Sequence, residues 1–382
     1  MAASAREEQS GASRAAAYAL PGGAVMVETL DESLRCWLDE FLLPGFDPFT
    51  SDVDAPWVVV TTTDDPPRAV ESLGPRPCFA LDQRVVEHPA WRSTAGVVVS
   101  DEQYGTRYSI GADAIRVLRD DEAPRTRASV MRVVRELATA RSLGDGSRLQ
   151  LHAAALEHEG RIILLAGQKE AGKTTLTARL ASIAELAVAG NDRVLLSSPH
   201  GSGGAWRVRP VPTVVSVRPG TRAHLVGRFD DFPAIPAPAH LTVRELDAID
   251  VEHARHDAAA RMKLSPMQFA RAAGVSLCGE APLAHVLLVS VDPELDGFAL
   301  ASCTRAQARR GLHAVRYGSR PDGTPRTIFE EWLGVARPPD ADRARLDDLA
   351  DAVPVSTIRV GPPVLDDDAL AAALLEDVVA RG

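Results

Sequence analysis

Gly167-Gln168-Lys169-Glu170-Ala171-Gly172-Lys173-Thr174 decides the reading of this chain. It fits the pattern G-x-x-x-x-G-K-[ST], and each fixed position has a physical reason. The glycines let the backbone turn tightly and approach an oxyanion, and the intervening N–H groups converge as an anion nest. A helix opening at Lys173 adds the positive end of its dipole. The Lys173 ammonium reaches β- and γ-phosphates, and the Thr174 hydroxyl suits Mg²⁺. The expected nucleotide contacts are therefore Gly167, Gln168, Lys169, Glu170, Ala171, Gly172, Lys173, Thr174 and the following Thr175.

The flanks supply the context the motif needs. Ile162-Ile163-Leu164-Leu165 reads as a buried strand leading in, and Leu176, Leu180 and Ile183 give the following helix an apolar stripe. That helix is expected over Lys173–Ala184. Strands are expected at Leu149–Leu156, Arg161–Ala166, Leu186–Ala189, Arg193–Leu196, Ala284–Val291 and Val353–Val360. Further helices are expected at Val243–Ala260, Thr304–Leu312 and Asp366–Ala380, with a proline-rich loop at Phe232–His240.

Upstream, Leu30–Leu43 and Pro124–Leu143 have helical spacing. Trp57–Thr61, Gly96–Val99 and Arg107–Ile110 read as strands between Pro and Gly turns. The expected organisation is a disordered leader over residues 1–22, an N-terminal α+β domain over 23–147, and an α/β nucleotide domain over 148–382.

Bulk properties exclude several classes. The 382 residues carry a formal charge of −10 with no concentrated Lys/Arg run, so a duplex nucleic acid is not an expected partner. No apolar run approaches the roughly 20 residues that span a bilayer. Glu7 and Glu8 sit where a signal peptide needs positive charge. Cys36, Cys78, Cys278 and Cys303 form no CxxC pair, which disfavours a zinc site and fits a reducing cytoplasm.

The loop indicates a nucleotide, not a reaction. An N-K-x-D base-reading motif and an LSGGQ-like signature are both absent. A kinase needs a carboxylate near the γ-phosphate. Asp192, in Gly190-Asn191-Asp192-Arg193, follows a short strand that a doubly wound sheet would place beside the loop. An Asx turn is the alternative reading of the same residues. Asp292, after the apolar run ending at Val291, is the rival acid, although Asp292-Pro293 also opens turns. Arg207, Arg209, Arg218, Arg261 and Lys263 are candidates for a further cation on the transferring phosphate.

Leu151-His152-Ala153-Ala154-Ala155, the loop, and Gly190-Asn191-Asp192-Arg193-Val194 together resemble the core of the HPr kinase/phosphorylase family. They resemble more closely that family's relatives in bacterial peptide and natural-product pathways. In the family, a histidine strand precedes the loop at the same distance, and an Asp-Asp-Arg-Val segment follows the loop helix. The match covers roughly residues 148–220 and implies a nucleotide domain similar to that of phosphoenolpyruvate carboxykinase. It further implies an ATP- and Mg²⁺-dependent kinase acting on a hydroxyl of a small metabolite or peptide; the family often forms homo-oligomers, and the resemblance leaves the oligomeric state of this chain open. Asp192 would be the catalytic carboxylate and, with Thr174, a metal ligand, and His152 would sit at the active site. Without the resemblance, a lone histidine on an apolar strand is more often a satisfied core residue.

The family's first Asp is Asn191 here, which offers a carbonyl oxygen but no base. The family's downstream signature for protein-substrate binding and phosphorolysis is absent. A nucleotide-binding regulatory module without transfer, and a protein-serine kinase acting on an HPr-like partner, stand as alternatives.

Overall fold

A computed structural model of the chain describes residues 14–29, 31–43, 45–48, 58–65, 67–79, 85–101, 105–118, 123–144, 146–184, 186–198, 204–225, 261–318, 324–332 and 339–381. The helix expected at Val243–Ala260 and the loop at Phe232–His240 lie outside them.

The N-terminal part is built on one nine-stranded mixed sheet. Its elements are β1 (Arg14–Leu20), β2 (Gly23–Thr29), α1 (Glu32–Leu42), β3 (Asp47–Pro48), β4 (Val58–Thr63), β5 (Ala69–Phe79), β6 (Val85–Ser93), β7 (Gly96–Asp101), β8 (Thr106–Ile110), β9 (Ala114–Leu118) and α2 (Ala123–Gly144). The sheet order is β3-β1-β2-β4-β9-β8-β7-β6-β5. The leader expected over residues 1–22 is therefore corrected from Arg14 onward: β1 pairs with β2 along its whole length, and Tyr18 and Leu20 are buried.

Local chemistry explains the helices. The Asp31 carboxylate caps α1 by accepting from the Ser33 and Leu34 amides, and Leu34, Leu38, Phe41 and Leu42 form its buried face. In α2, Val130, Val133, Val134 and Leu137 are fully buried against the sheet. The ribbon β5–β6, which the strand expectations above do not include, carries Pro75 and Pro77 on β5. It is tolerated where β5 forms the sheet edge, with register shifts near Ala69 and Ser72.

The second part holds β10 (Arg148–Leu151), β11 (Ala153–His158), β12 (Arg161–Ala166), α3 (Lys173–Ala184), β13 (Ala187–Gly190), β14 (Val194–Ser197), β15 (Arg207–Pro210), β16 (Val215–Val217), α4 (Pro219–Arg222), β17 (Met262–Leu264), α5 (Pro266–Ala273), β18 (Ala281–Val291), β19 (Phe298–Ser302), α6 (Arg305–Ala314), α7 (Ile328–Trp332), α8 (Arg343–Ala352), β20 (Val355–Val360), α9 (Pro363–Asp366) and α10 (Asp368–Val379). Its large sheet runs β10-β14-β15-β18-β12-β11-β13, with β20 beside β18 and β19 beside β20.

The sheet is mixed. Strand β12 is parallel to β18 and β18 to β20, whereas β11 is antiparallel to both β12 and β13. Two apolar layers cover its faces. One joins α3, α5 and α10 through Leu176, Phe269, Leu374 and Val378, and the other joins α6 and α8 through Leu312, Leu346 and Leu349. The N-terminal core continues into the second part through Leu195, Val211, Ile328 and Phe329, so the two sheets share buried packing. No described helix is long and apolar enough to cross a membrane.

Candidate functional site

The expected single strand Leu149–Leu156 is broken at His152. Strand β10 pairs with β14, and β11 pairs with β12 and β13, so the chain changes partners at that residue. The break is stabilised locally. The His152 amide donates to Val315 O at 2.8 Å, and the Ala153 amide donates to Asp192 O at 3.1 Å.

This break builds the site. Ala153, the first residue of β11, pairs with Ala166 at the carboxyl end of β12, and Ala155 pairs with Gly190 at the carboxyl end of β13. The ends of β12 and β13 thus flank the start of β11. The glycine loop leaves β12 and Asn191-Asp192 leave β13, which brings three chain segments together. Asp192 Oδ1 lies 3.0 Å from His152 Nε2.

The loop itself is tight. Gly172 has φ +81, and Glu170, although not glycine, has φ +70. A Cβ on Gly167 would lie 2.8 Å from Val289 O, so only glycine lets the loop pass β18 at this spacing. The Lys173 ammonium is buried and donates to Gly167 O at 2.8 Å and Gln168 O at 2.9 Å. Gln168 Nε2 donates to Ala314 O at 2.8 Å, which ties the loop to α6. Thr175 Oγ1 and Thr221 Oγ1 are 2.8 Å apart, which ties the first turn of α3 to α4. Lys169 is exposed, Ala171 and Thr174 are half-buried, and Glu170 Oε1 accepts from Arg218 Nη2 at 2.8 Å.

The charges couple. Burial pushes the Lys173 ammonium down to about 8, against the opposing pull of Asp192. Burial pushes Asp192 upward. The hydrogen bond from His152 and the charges of Arg193, His152 and Lys173 outweigh it and hold the carboxyl well below the usual range.

Arg193 was not singled out from the sequence, yet it anchors Asp192 from behind. Its guanidinium is buried, with Nε 3.5 Å from Asp192 Oδ2 and Nη1 2.9 Å from Glu136 Oε1 on α2. Glu136 Oε1 also accepts from Arg135 Nη2 at 2.7 Å. The Tyr317 ring lies between Arg193, 4.2 Å from its centroid, and Arg326, 3.5 Å from it. The available signal was two adjacent charges, Arg135 and Glu136, set between the apolar pairs Val133-Val134 and Leu137-Ala138.

The remaining candidates separate. Arg218 reaches the loop, with Arg261 and Lys263 beside it, whereas Arg207 and Arg209 are held by Glu280 away from it. Asp292 follows β18, but its carboxylate pairs with Arg359 Nη1 at 3.0 Å. Asn191 Oδ1 is buried without a hydrogen-bond partner among the described residues.

The residues fit a Mg²⁺-bound nucleotide. A glycine cradle, a buried ammonium, the Thr174 hydroxyl and a carboxylate held ionised make up the donor set that Mg²⁺ takes alongside phosphate oxygens. Among the described residues no group of three or more His, Cys, Asp or Glu could hold a metal by itself. No family model matches the chain, and no curated protein matches it significantly.

Proposed function

We propose that the chain is an ATP- and Mg²⁺-dependent phosphotransferase that moves the γ-phosphate to a hydroxyl group of a small metabolite or peptide, as its HPr kinase-like motifs suggest. The observation that carries the reading is the convergence of Lys173, His152 and Asp192 at the adjoining ends of β12, β11 and β13.

In this reading the loop amides and Lys173 bind and orient the β- and γ-phosphates. Thr174 and Asp192 would hold Mg²⁺, which when bound would neutralise phosphate charge. The acceptor oxygen forms a bond to the γ-phosphorus as the bond from that phosphorus to the β–γ bridging oxygen breaks, leaving ADP. The acceptor proton passes to the Asp192–His152 pair. A carboxylate held so firmly ionised is a weak base, so Asp192 acts chiefly by orienting the hydroxyl. His152 Nε2, 3.0 Å away, donates to the carboxylate and holds it in place.

Labelled-ATP transfer to metabolite pools, peptides and carrier proteins tests this. Asp192→Asn should keep nucleotide binding and lose about 10²–10⁴ of the transfer rate. Transfer at the wild-type rate by the variant would sink the mechanism. Tight nucleotide binding with no phosphorylated product from the wild type would favour a regulatory module, the reading that Asn191 in place of an acid motivates. Label on an HPr-like carrier would assign protein-serine phosphorylation.

A further inference from the structure

Strands β16 and β17 form an isolated two-stranded antiparallel ribbon in which Ser216 pairs with Lys263 and Val217 with Met262. Side chains alternate along a strand, so the ribbon has two distinct faces. Val215, Val217, Met262 and Leu264 are buried in the core that includes α3. The half-buried residues Ser216, Arg218, Arg261 and Lys263 fall on the opposite face. Three cations are thereby gathered on one small surface.

That surface meets the glycine loop. Arg218 Nη2 lies 2.8 Å from Glu170 Oε1 at the loop's tip, and Arg261 also draws the Glu170 carboxyl downward. Lys263 Nζ donates to Ser216 Oγ, which fixes the ammonium on the ribbon. Burial and its like-charged neighbours Arg261 and Arg218 push Lys263 down to about 8, while Asp192 pulls it up. Lys263 shares its face of the ribbon with Arg218, whose guanidinium reaches the loop's tip. Among the described residues the acids Glu170 and Asp192 are engaged already, Glu170 with Arg218 and Asp192 with His152 and Arg193. A cation cluster of this kind is relieved when an oxyanion enters.

We propose that Lys263 is a second phosphate-binding cation, contacting the terminal phosphate of a bound nucleoside triphosphate from the ribbon side of the loop, with Arg261 and Arg218 flanking it. The proposal rests on the nucleotide reading above and assigns the wall of the site that faces the transferring group. Charge spreads over the three non-bridging oxygens of that group, and one lysine from the loop leaves part of it unmatched.

Equilibrium binding of Mg-ADP and of a non-hydrolysable β,γ-imido ATP analogue separates the phosphates. Lys263→Met should weaken the triphosphate analogue by about 10- to 100-fold, the range for a charge-assisted contact, and leave ADP within about twofold. Lys263→Arg should restore part of the difference. An equal loss for both nucleotides, or a loss for neither, overturns the proposal while leaving the nucleotide site standing. Failure of the wild-type chain to bind either nucleotide overturns both. Lys263→Gln, which can still donate to Ser216, supplies the same comparison where the methionine variant does not fold.

Discussion

Replacing Glu136 with glutamine probes the buried junction between α2 and the candidate site. Glu136 is 8 % exposed and Arg193 4 % exposed, and the pair is 2.9 Å apart. Burial alone would raise the glutamate, but the charges of Arg193 and Arg135 outweigh burial and lower it from 4.5 to about 2. At 1.4 kcal/mol per pKa unit that depression corresponds to about 3 kcal/mol, within the ~3–5 kcal/mol for breaking a buried ion pair from one side. The variant leaves two buried guanidiniums sharing a neutral acceptor. Urea unfolding followed by tryptophan fluorescence should show a loss of about 3 kcal/mol at pH 7. Because the folded-state pKa is depressed, the contribution is present above pH 4.5 and fades as pH falls through about 2. The gap between wild type and variant should therefore narrow from pH 4.5 downward. Glu32→Gln is the control: its pair with Arg35 lies at the surface, is screened by solvent, and should contribute far less. A Glu136→Gln loss below about 1 kcal/mol at pH 7, or one unchanged at pH 3, would refute the assignment.

Gly167→Ala places a Cβ 2.8 Å from Val289 O, so nucleotide affinity should fall by about tenfold or more as the loop shifts. Gly144→Ala, where nothing lies within 4 Å, should bind as the wild type does. Lys173 and Lys263 are both pushed down to about 8, and phosphates bind their charged forms. ATP affinity should therefore decline as pH rises above 8, and binding near pH 9 should take up protons, measured by calorimetry in buffers of different ionisation enthalpy. Lys173→Met should reduce that uptake, and binding without uptake in the wild type would contradict the burial of both lysines.

Much of the site was legible because its signals are local. The loop, β12 and α3 depend on short-range rules, and α3 spans Lys173–Ala184 as the stripe of Leu176 and Leu180 predicts. Asp192 was reached from strand order, and it does lie beside the loop, although the neighbouring β11 runs antiparallel rather than as a doubly wound sheet would have it. The break at His152 was invisible, since Leu149, Leu151, Ala153 and Ala155 are all buried and their alternation continues across it. Only the partner change from β14 to β12 reveals it. The Glu136–Arg193 pair is 57 positions apart, and the strands of the β16–β17 ribbon are also distant in sequence. Such pairings depend on how the sheets assemble, which periodicity does not encode. The β1 strand was hidden by the Ala- and Ser-rich composition around it, which reads as leader until β2 is placed beside it.

The most direct test of the central claim is calorimetric titration of Mg-ATP onto the full chain and onto Lys173→Ala. The account predicts one nucleotide per chain and at least about a tenfold weaker affinity for the variant, because a charge-assisted contact to the phosphates is lost. A wild-type chain that binds no nucleotide, or a variant that binds as tightly as the wild type, would contradict it.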